Sequence, residues 1–112
     1  MSGSIKVGGK RVALDKEGYL RNLGDWNEAV AEALAQQQEI ILRPAHWEIL
    51  NLLREFHQRH ELSPATRALV SLIRKKLGPD KGRSIYLMRL FRGSFAKTAS
   101  RIAGLPKPDN CL

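Results

Sequence analysis

Proline and glycine residues divide the apolar residues of this chain into short segments that repeat at helical spacing. This periodicity predicts helices over residues 26–38, 44–59 and 64–77, and a last helix that follows Gly93 and ends at Gly104. The run IYLMRLF, between the last two, is interpreted as another helix or a buried segment. A chain punctuated in this way is expected to form a bundle of short helices.

Residues at the starts of the segments resemble helix caps. Asp25 and Glu28 have the spacing of a capping box, and Ser63 followed by Pro64 is typical of a cap with a first-turn proline. The apolar stripe of helix 44–59 is too wide for a surface helix. We therefore expect that helix to be central.

The N-terminal segment has a different pattern. β-Branched residues flank a Gly-Gly dipeptide, which permits the positive φ angles of a tight turn, so residues 4–14 are predicted to form a β-hairpin. A second turn over residues 15–18 is expected to fold Tyr19 and Leu20 back onto the body.

The tail LPKPDNCL follows the last helix and carries the only cysteine, Cys111. Two prolines favour an extended path, which predicts a globular domain over residues 1–104 and a mobile arm over residues 105–112. The predicted fold is mainly α: a small helical bundle with a helix-turn-helix-like arrangement, a short N-terminal β-hairpin and a flexible C-terminal arm. A stray, solvent-exposed thiol is the alternative to a functional one.

Composition limits the functional classes. The chain of 112 residues fits one domain, and its formal net charge of +8 favours phosphate backbones or acidic protein faces as partners. One cysteine cannot form an intramolecular disulfide, and no apolar run approaches the ~20 residues of a membrane span. A cytoplasmic, reduced protein without a membrane role is expected.

Several stretches resemble the DsrC/TusE family of small sulfur-carrier proteins. They are DKEGYL, PAHWEILNLLREF, SPATRALV, YLMRLF and, most specifically, the terminal RIAGLPKPDNCL. The resemblance implies a helical fold with an N-terminal hairpin and a C-terminal arm. It also implies that Cys111, the penultimate residue, accepts a sulfane sulfur as a persulfide and passes it on.

The resemblance also indicates the branch of the family. DsrC proteins carry a second arm cysteine eleven residues before the penultimate one, and here that position is Ser100, which disfavours service to a dissimilatory sulfite reductase. The TusE branch implies a TusBCD-like donor complex and an acceptor that is an MnmA-like thiouridylase acting on tRNA. The stretches LRPAHWE and FRGSFAK depart from the LSPEHWE and FPKGPAK that are more usual in this branch.

Basic side chains near the arm are candidates for positioning it or screening its charge. Lys107 lies on the arm, and Lys97 and Arg101 are four residues apart, so they share the outer face of the last helix. Sulfur attack requires the thiolate, whose formation the adjacent terminal carboxylate opposes, so activation of Cys111 within a complex is expected. No cofactor is implied.

Two other readings compete with sulfur transfer. Helices 44–59 and 64–77 have lengths suited to a DNA-binding helix-turn-helix, in which Arg67, Ser71 and Arg74 would face the groove. The simpler explanation of these three polar residues is that they form the solvent-exposed face of an amphipathic helix, so DNA is the less favoured partner. The histidine spacing at His57 and His60 matches no recognisable zinc motif, and no metal site is predicted.

Overall fold

A computed structural model of the chain describes residues 3–108. It contains a two-stranded hairpin, a 3₁₀ turn at Leu23–Asp25 and five helices: β1 (Gly3–Val7), β2 (Lys10–Leu14), α1 (Glu28–Gln37), α2 (Pro44–His60), α3 (Thr66–Leu77), α4 (Ser84–Phe91) and α5 (Phe95–Ile102). The prediction of a mainly α fold with an N-terminal hairpin is confirmed, and IYLMRLF is a helix.

The hairpin is antiparallel, with Ile5 opposite Val12. Gly8 and Gly9 form its turn with φ angles of 58° and 80°. Both values lie in the left-handed region, where glycine alone has no steric cost, so the dipeptide determines the turn. As predicted, the chain then folds back, because Leu20 pairs with Leu14 and both are buried.

The core forms around α5. This eight-residue helix contacts each of the other four helices, and six of its residues are buried: Phe95, Ala96, Thr98, Ala99, Ser100 and Ile102. Small side chains let several backbones approach one helix closely, whereas the larger side chains of α2 pack on one side. The expectation that α2 occupies the centre is therefore wrong, and the short α5 has that place.

Two helix starts differ from the sequence prediction. α1 begins at Glu28 and is capped by Asn27, whose side chain accepts a hydrogen bond from the backbone N–H of Val30 at 2.9 Å. α3 begins at Thr66, after Ala65. The predicted caps at positions 25 and 63 are wrong, because tertiary contacts described below hold the segments around them.

The unusual start of α2 is explained by His46. Nδ1 of His46 accepts a hydrogen bond from the backbone N–H of Arg43 at 3.0 Å, which caps the helix. Its Nε2 lies 2.9 Å from the carbonyl oxygen of Leu90, so the neutral tautomer that donates from Nε2 satisfies both contacts. This histidine therefore ties the start of α2 to α4.

The α2–α3 pair has the lengths of a helix-turn-helix, with Glu61 in the left-handed region at φ 54° ending α2. None of the helices in the part of the chain described is long and apolar enough to cross a membrane.

Candidate functional site at the base of the C-terminal arm

The end of α5 forms a Schellman motif. The backbone N–H of Leu105 donates to the carbonyl of Ser100 at 2.9 Å, and that of Gly104 donates to Arg101 at 3.1 Å. Gly104 has φ of 72°, as its predicted place just after the helix requires. The motif turns the chain back, so Leu105 is buried instead of projecting into solvent.

Trp26, which lies between the 3₁₀ turn and α1, packs against this turn. Its indole ring lies so close to Gly104 that any side chain at position 104 would overlap it. Its Nε1 donates to the carbonyl of Ile102 at 3.0 Å. Trp26 therefore stabilises the turn that follows α5. Because Trp26 makes this contact, its backbone is extended and α1 begins after it.

Arg54 of α2 makes a second contact with the same turn. Its guanidinium lies 3.7 Å from the centre of the Trp26 ring and donates from Nη1 to the carbonyl of Ala103 at 2.7 Å. Burial lowers the pKa of this guanidinium, which nonetheless stays charged at neutral pH. A cation on an aromatic face and a charge-assisted hydrogen bond both stabilise the turn.

Residues 105–108, here called the arm base, lie against the body. Ser63 donates from its hydroxyl to the carbonyl of Pro106 at 2.6 Å, which explains why it does not cap α3. Lys107 forms an ion pair with Glu17 at 2.9 Å, and Pro108 is buried. The structure thus describes four residues of the predicted arm as anchored, and Cys111 lies outside the described residues.

The predicted basic residues lie near one another around Tyr19. Arg101 places its guanidinium 5.3 Å from the centre of the Tyr19 ring, and the phenol lies 3.5 Å from the carbonyl oxygen of Lys97. Burial raises the pKa of the Tyr19 phenol, while the positive charges of Arg101 and Lys107 oppose that increase. Lys97 enters this cluster through its backbone, and its side chain is half-buried on α5.

Hydrogen bonding to Glu17, and then its negative charge, raise the pKa of Lys107 above its ordinary value of 10.5. Lys107 therefore remains a full cation throughout the physiological range. In the described residues its charge is balanced by one carboxylate, whereas the Arg101 guanidinium has a buried Nε without a hydrogen-bond partner. The arm base therefore lies near one ion pair, Lys107–Glu17, and one further cation, Arg101.

Ser100 is fully buried in α5, and its hydroxyl has no hydrogen-bond partner among the residues described. The resemblance places the second cysteine of DsrC proteins at this position. An unpartnered hydroxyl offers neither the nucleophilicity nor the redox chemistry of a thiol.

The face proposed for DNA contact is exposed. Arg67, Ser71 and Arg74 all lie on the solvent side of α3, as predicted. Arg74 also donates from Nη2 to the carbonyl of Gly82 at 3.0 Å, so it has a structural role as well. Among residues 3–108 no group of three His, Cys, Asp or Glu side chains is arranged to hold a metal ion.

Sequence reasoning missed Arg54, Glu17 and the contacts of Trp26, and it assigned Ser63 to a helix cap. Glycine followed by alternating prolines was the available signal that the turn after α5 is crowded. The partners come from three separate parts of the chain, and no local pattern identifies them.

This arrangement defines a small helical protein whose C-terminal segment is anchored as far as residue 108, and comparisons with known proteins agree with it. The family model described as "DsrC like protein" matches residues 6–112, Cys111 included. The chain therefore belongs to the DsrC-like family.

Relatives and solved structures extend this result. Sulfurtransferase TusE of Photorhabdus laumondii is 49% identical over 93% of this chain and 94% of its own. The sulfurtransferase TusE homolog of Haemophilus influenzae is 47% identical over 96% and 99%. The NMR structure of Allochromatium vinosum DsrC covers 100% of both chains with a TM-score of 0.90 and 47% identity. Sulfur transfer, as a carrier in a relay, is therefore the activity class of this chain.

The oxidized gamma-subunit of the dissimilatory sulfite reductase (DsrC) from Archaeoglobus fulgidus has the same fold. It covers 98% of this chain and 100% of its own with a TM-score of 0.86 and 38% identity. This chain, which is similar in sequence to TusE proteins, therefore has the fold of solved DsrC proteins.

Proposed function

We propose that Cys111 carries the sulfur as a persulfide and delivers it to a second protein. The single observation that carries this proposal is that the family match extends through the tail, where the chain has its only cysteine. A persulfide forms on a thiolate sulfur, and Cys111 is the one residue that offers one. In this mechanism the body docks the carrier and the arm presents the sulfur.

Each transfer is an exchange between two sulfur atoms. The Cys111 thiolate attacks the outer sulfur of a donor persulfide, a new S–S bond forms on Cys111, and the donor cysteine leaves as a thiolate. An acceptor thiolate then attacks the outer sulfur on Cys111, which leaves as a thiolate in turn. Sulfur moves at constant total oxidation state, so no added oxidant or reductant is needed.

The anchored arm base sets where this exchange takes place. Cys111 is the third residue after Pro108, and three residues extend at most about 11 Å. The cations of Arg101 and Lys107 lie at or near that base, Lys97 lies on the same helix as Arg101, and positive charge favours a thiolate over a thiol. These three residues are therefore proposed to position the arm or to screen its charge.

The proposed partners follow from the resemblance to the TusE branch, and the sulfurtransferase names of the relatives support a role in sulfur transfer between proteins. In this proposal a TusBCD-like complex donates the sulfur, and an MnmA-like thiouridylase bound to tRNA accepts it, in the cytoplasm. Service to a dissimilatory sulfite reductase is disfavoured, because one cysteine cannot form a disulfide within the chain and Ser100 supplies no second thiol. The predicted division into residues 1–104 and an arm over residues 105–112 belongs to this proposal.

Intact-mass spectrometry tests the carrier step. The reduced protein is incubated with a donor whose persulfide content has been verified, and Cys111→Ser serves as the matched control. We expect a gain of about 32 Da that dithiothreitol removes, in the native chain only, because one sulfur atom adds to a thiolate.

Circular dichroism should show the same fold in both proteins, since Cys111→Ser replaces a single side-chain atom, sulfur by oxygen. An equal mass gain in Cys111→Ser, or no gain in the native chain from a verified donor, would disprove the assignment of Cys111.

A further inference from the structure

The positive charge of this protein is concentrated in one part of the chain. Residues 62–108 contain eleven lysines and arginines and a single carboxylate, Asp80, whereas residues 1–61 contain eight basic and nine acidic residues. The net charge therefore comes from α3, α4, α5 and their connections. A field of this strength attracts polyanions.

A groove lies within this basic part, between α3 and the start of α4. Its volume is about 650 Å³, and it is lined by Ala65, Thr66, Arg67, Val70, Ser71, Arg74 and Ser84. None of these residues is acidic, and they combine two guanidinium groups with three hydroxyls. Guanidinium and hydroxyl donors are the side chains that bind phosphate oxygens.

Arg74 fixes the α3–α4 connection, which forms one side of the groove. Its Nε and Nη2 both donate to the carbonyl of Gly82, at 3.3 and 3.0 Å, and Gly82 packs so tightly on the Arg74 backbone that no larger residue fits there. The connection between α3 and α4 is therefore fixed against α3. The groove is already formed, so binding of a ligand does not include the free-energy cost of ordering this connection.

Arg67 is the cation that remains available. It is exposed on the first turn of α3, and it forms no hydrogen bond or ion pair with any residue of the part described. A guanidinium that has no partner among residues 3–108, in a groove whose described lining contains no carboxylate, is a suitable phosphate ligand.

We propose that this groove binds the phosphodiester backbone of RNA. The choice of RNA rests on the proposed function, in which sulfur reaches an enzyme that holds tRNA. The shape of the groove supports this choice over duplex DNA, because α3 is flanked by the loop at Gly82 and by Ser84. A helix that reads the major groove, which is about 12 Å wide, must project by itself, whereas a single-stranded RNA segment can bend into a concavity.

Fluorescence anisotropy with a labelled RNA hairpin carrying a single-stranded loop tests the proposal. The full chain is used with Cys111→Ser, so that thiol chemistry makes no contribution. Arg67→Glu should weaken binding at least about fivefold and reduce the slope of log K against log salt by roughly 0.7–0.9. Arg11→Glu is the matched control, because Arg11 is exposed on β2 and its reversal changes the net charge equally.

Three outcomes would overturn the inference: no measurable RNA binding at low salt, equal losses for the two variants, or tighter binding of a DNA duplex of matched length. The result is separable from the carrier step, because Arg67→Glu with its thiol intact should still gain one sulfur from the verified donor. Loss of RNA binding with unchanged loading would support the groove and leave the role of Cys111 intact.

Discussion

At the scale of single residues, Ser100 has a polar atom in surroundings that offer it no hydrogen bond. Its Oγ is buried and unpartnered within the described part of the chain, in the middle of the helix that contacts all the others. Leaving a buried hydroxyl without a partner costs about 1–3 kcal/mol compared with an apolar group of similar shape. Replacing this residue should therefore change the free energy of unfolding measurably.

Ser100→Ala is therefore expected to stabilise the protein by about 1 kcal/mol, because the methyl group fits the same space without a desolvation penalty. For a domain of this size the melting temperature should rise by roughly 4 °C or more. Thermal and urea unfolding measure the effect. Ser94→Ala is the control, since Ser94 is exposed and its side chain makes no capping bond at α5. Equal or lower stability of Ser100→Ala would show that the hydroxyl has a partner.

At the scale of elements, periodicity in the sequence identifies the helices, whereas distant contacts decide some of their ends. The α2 and α3 segments were predictable because their apolar residues share a face. The starts of α1 and α3 were not, since Trp26 bonds to Ile102 and Ser63 to Pro106. A capping pattern shows which hydrogen bonds a side chain can form with its own helix. Here, hydrogen bonds to partners more than forty residues away form instead.

The end of α5 gives a sharp test of such a contact. Gly104→Ala should destabilise the protein by at least about 2 kcal/mol, because φ of 72° penalises any side chain and the added methyl overlaps the Trp26 ring. Urea unfolding measures the loss. Because the arm base follows directly, the rate of sulfur loading at Cys111 is expected to fall as well.

Gly93→Ala is the matched control for that substitution. Gly93 lies at the other end of α5, where a methyl group meets nothing within 4 Å and the backbone has no positive φ. Its stability should stay within about 0.5 kcal/mol of the native value. Similar losses for both glycines would contradict the positive φ and the crowding by Trp26 as the cause of the effect.

At the scale of the whole molecule, the arm base joins two electrostatically different parts of the chain. Glu17 belongs to the nearly neutral N-terminal part, and Lys107 to the basic C-terminal part. The sequence indicated that Lys107, Arg101 and the terminal thiol are candidate site residues, because their charge and position are readable directly. It did not indicate Glu17, since a pair ninety residues apart is formed only by the fold.

Glu17→Gln tests the connection between these parts. Glu17 raises the pKa of Lys107, so the ion pair stabilises the anchored state fully at neutral pH and its contribution disappears as the pH rises through that raised value, above 10.5. In Glu17→Gln, NMR titration of the Lys107 side chain should give a pKa closer to 10.5, because the carboxylate is gone. Glu28→Gln, an exposed change on α1, should leave the titration unaltered. An unchanged Lys107 titration in Glu17→Gln would mean that the two residues are not paired in solution and that Trp26, Arg54 and Ser63 anchor the arm base without them.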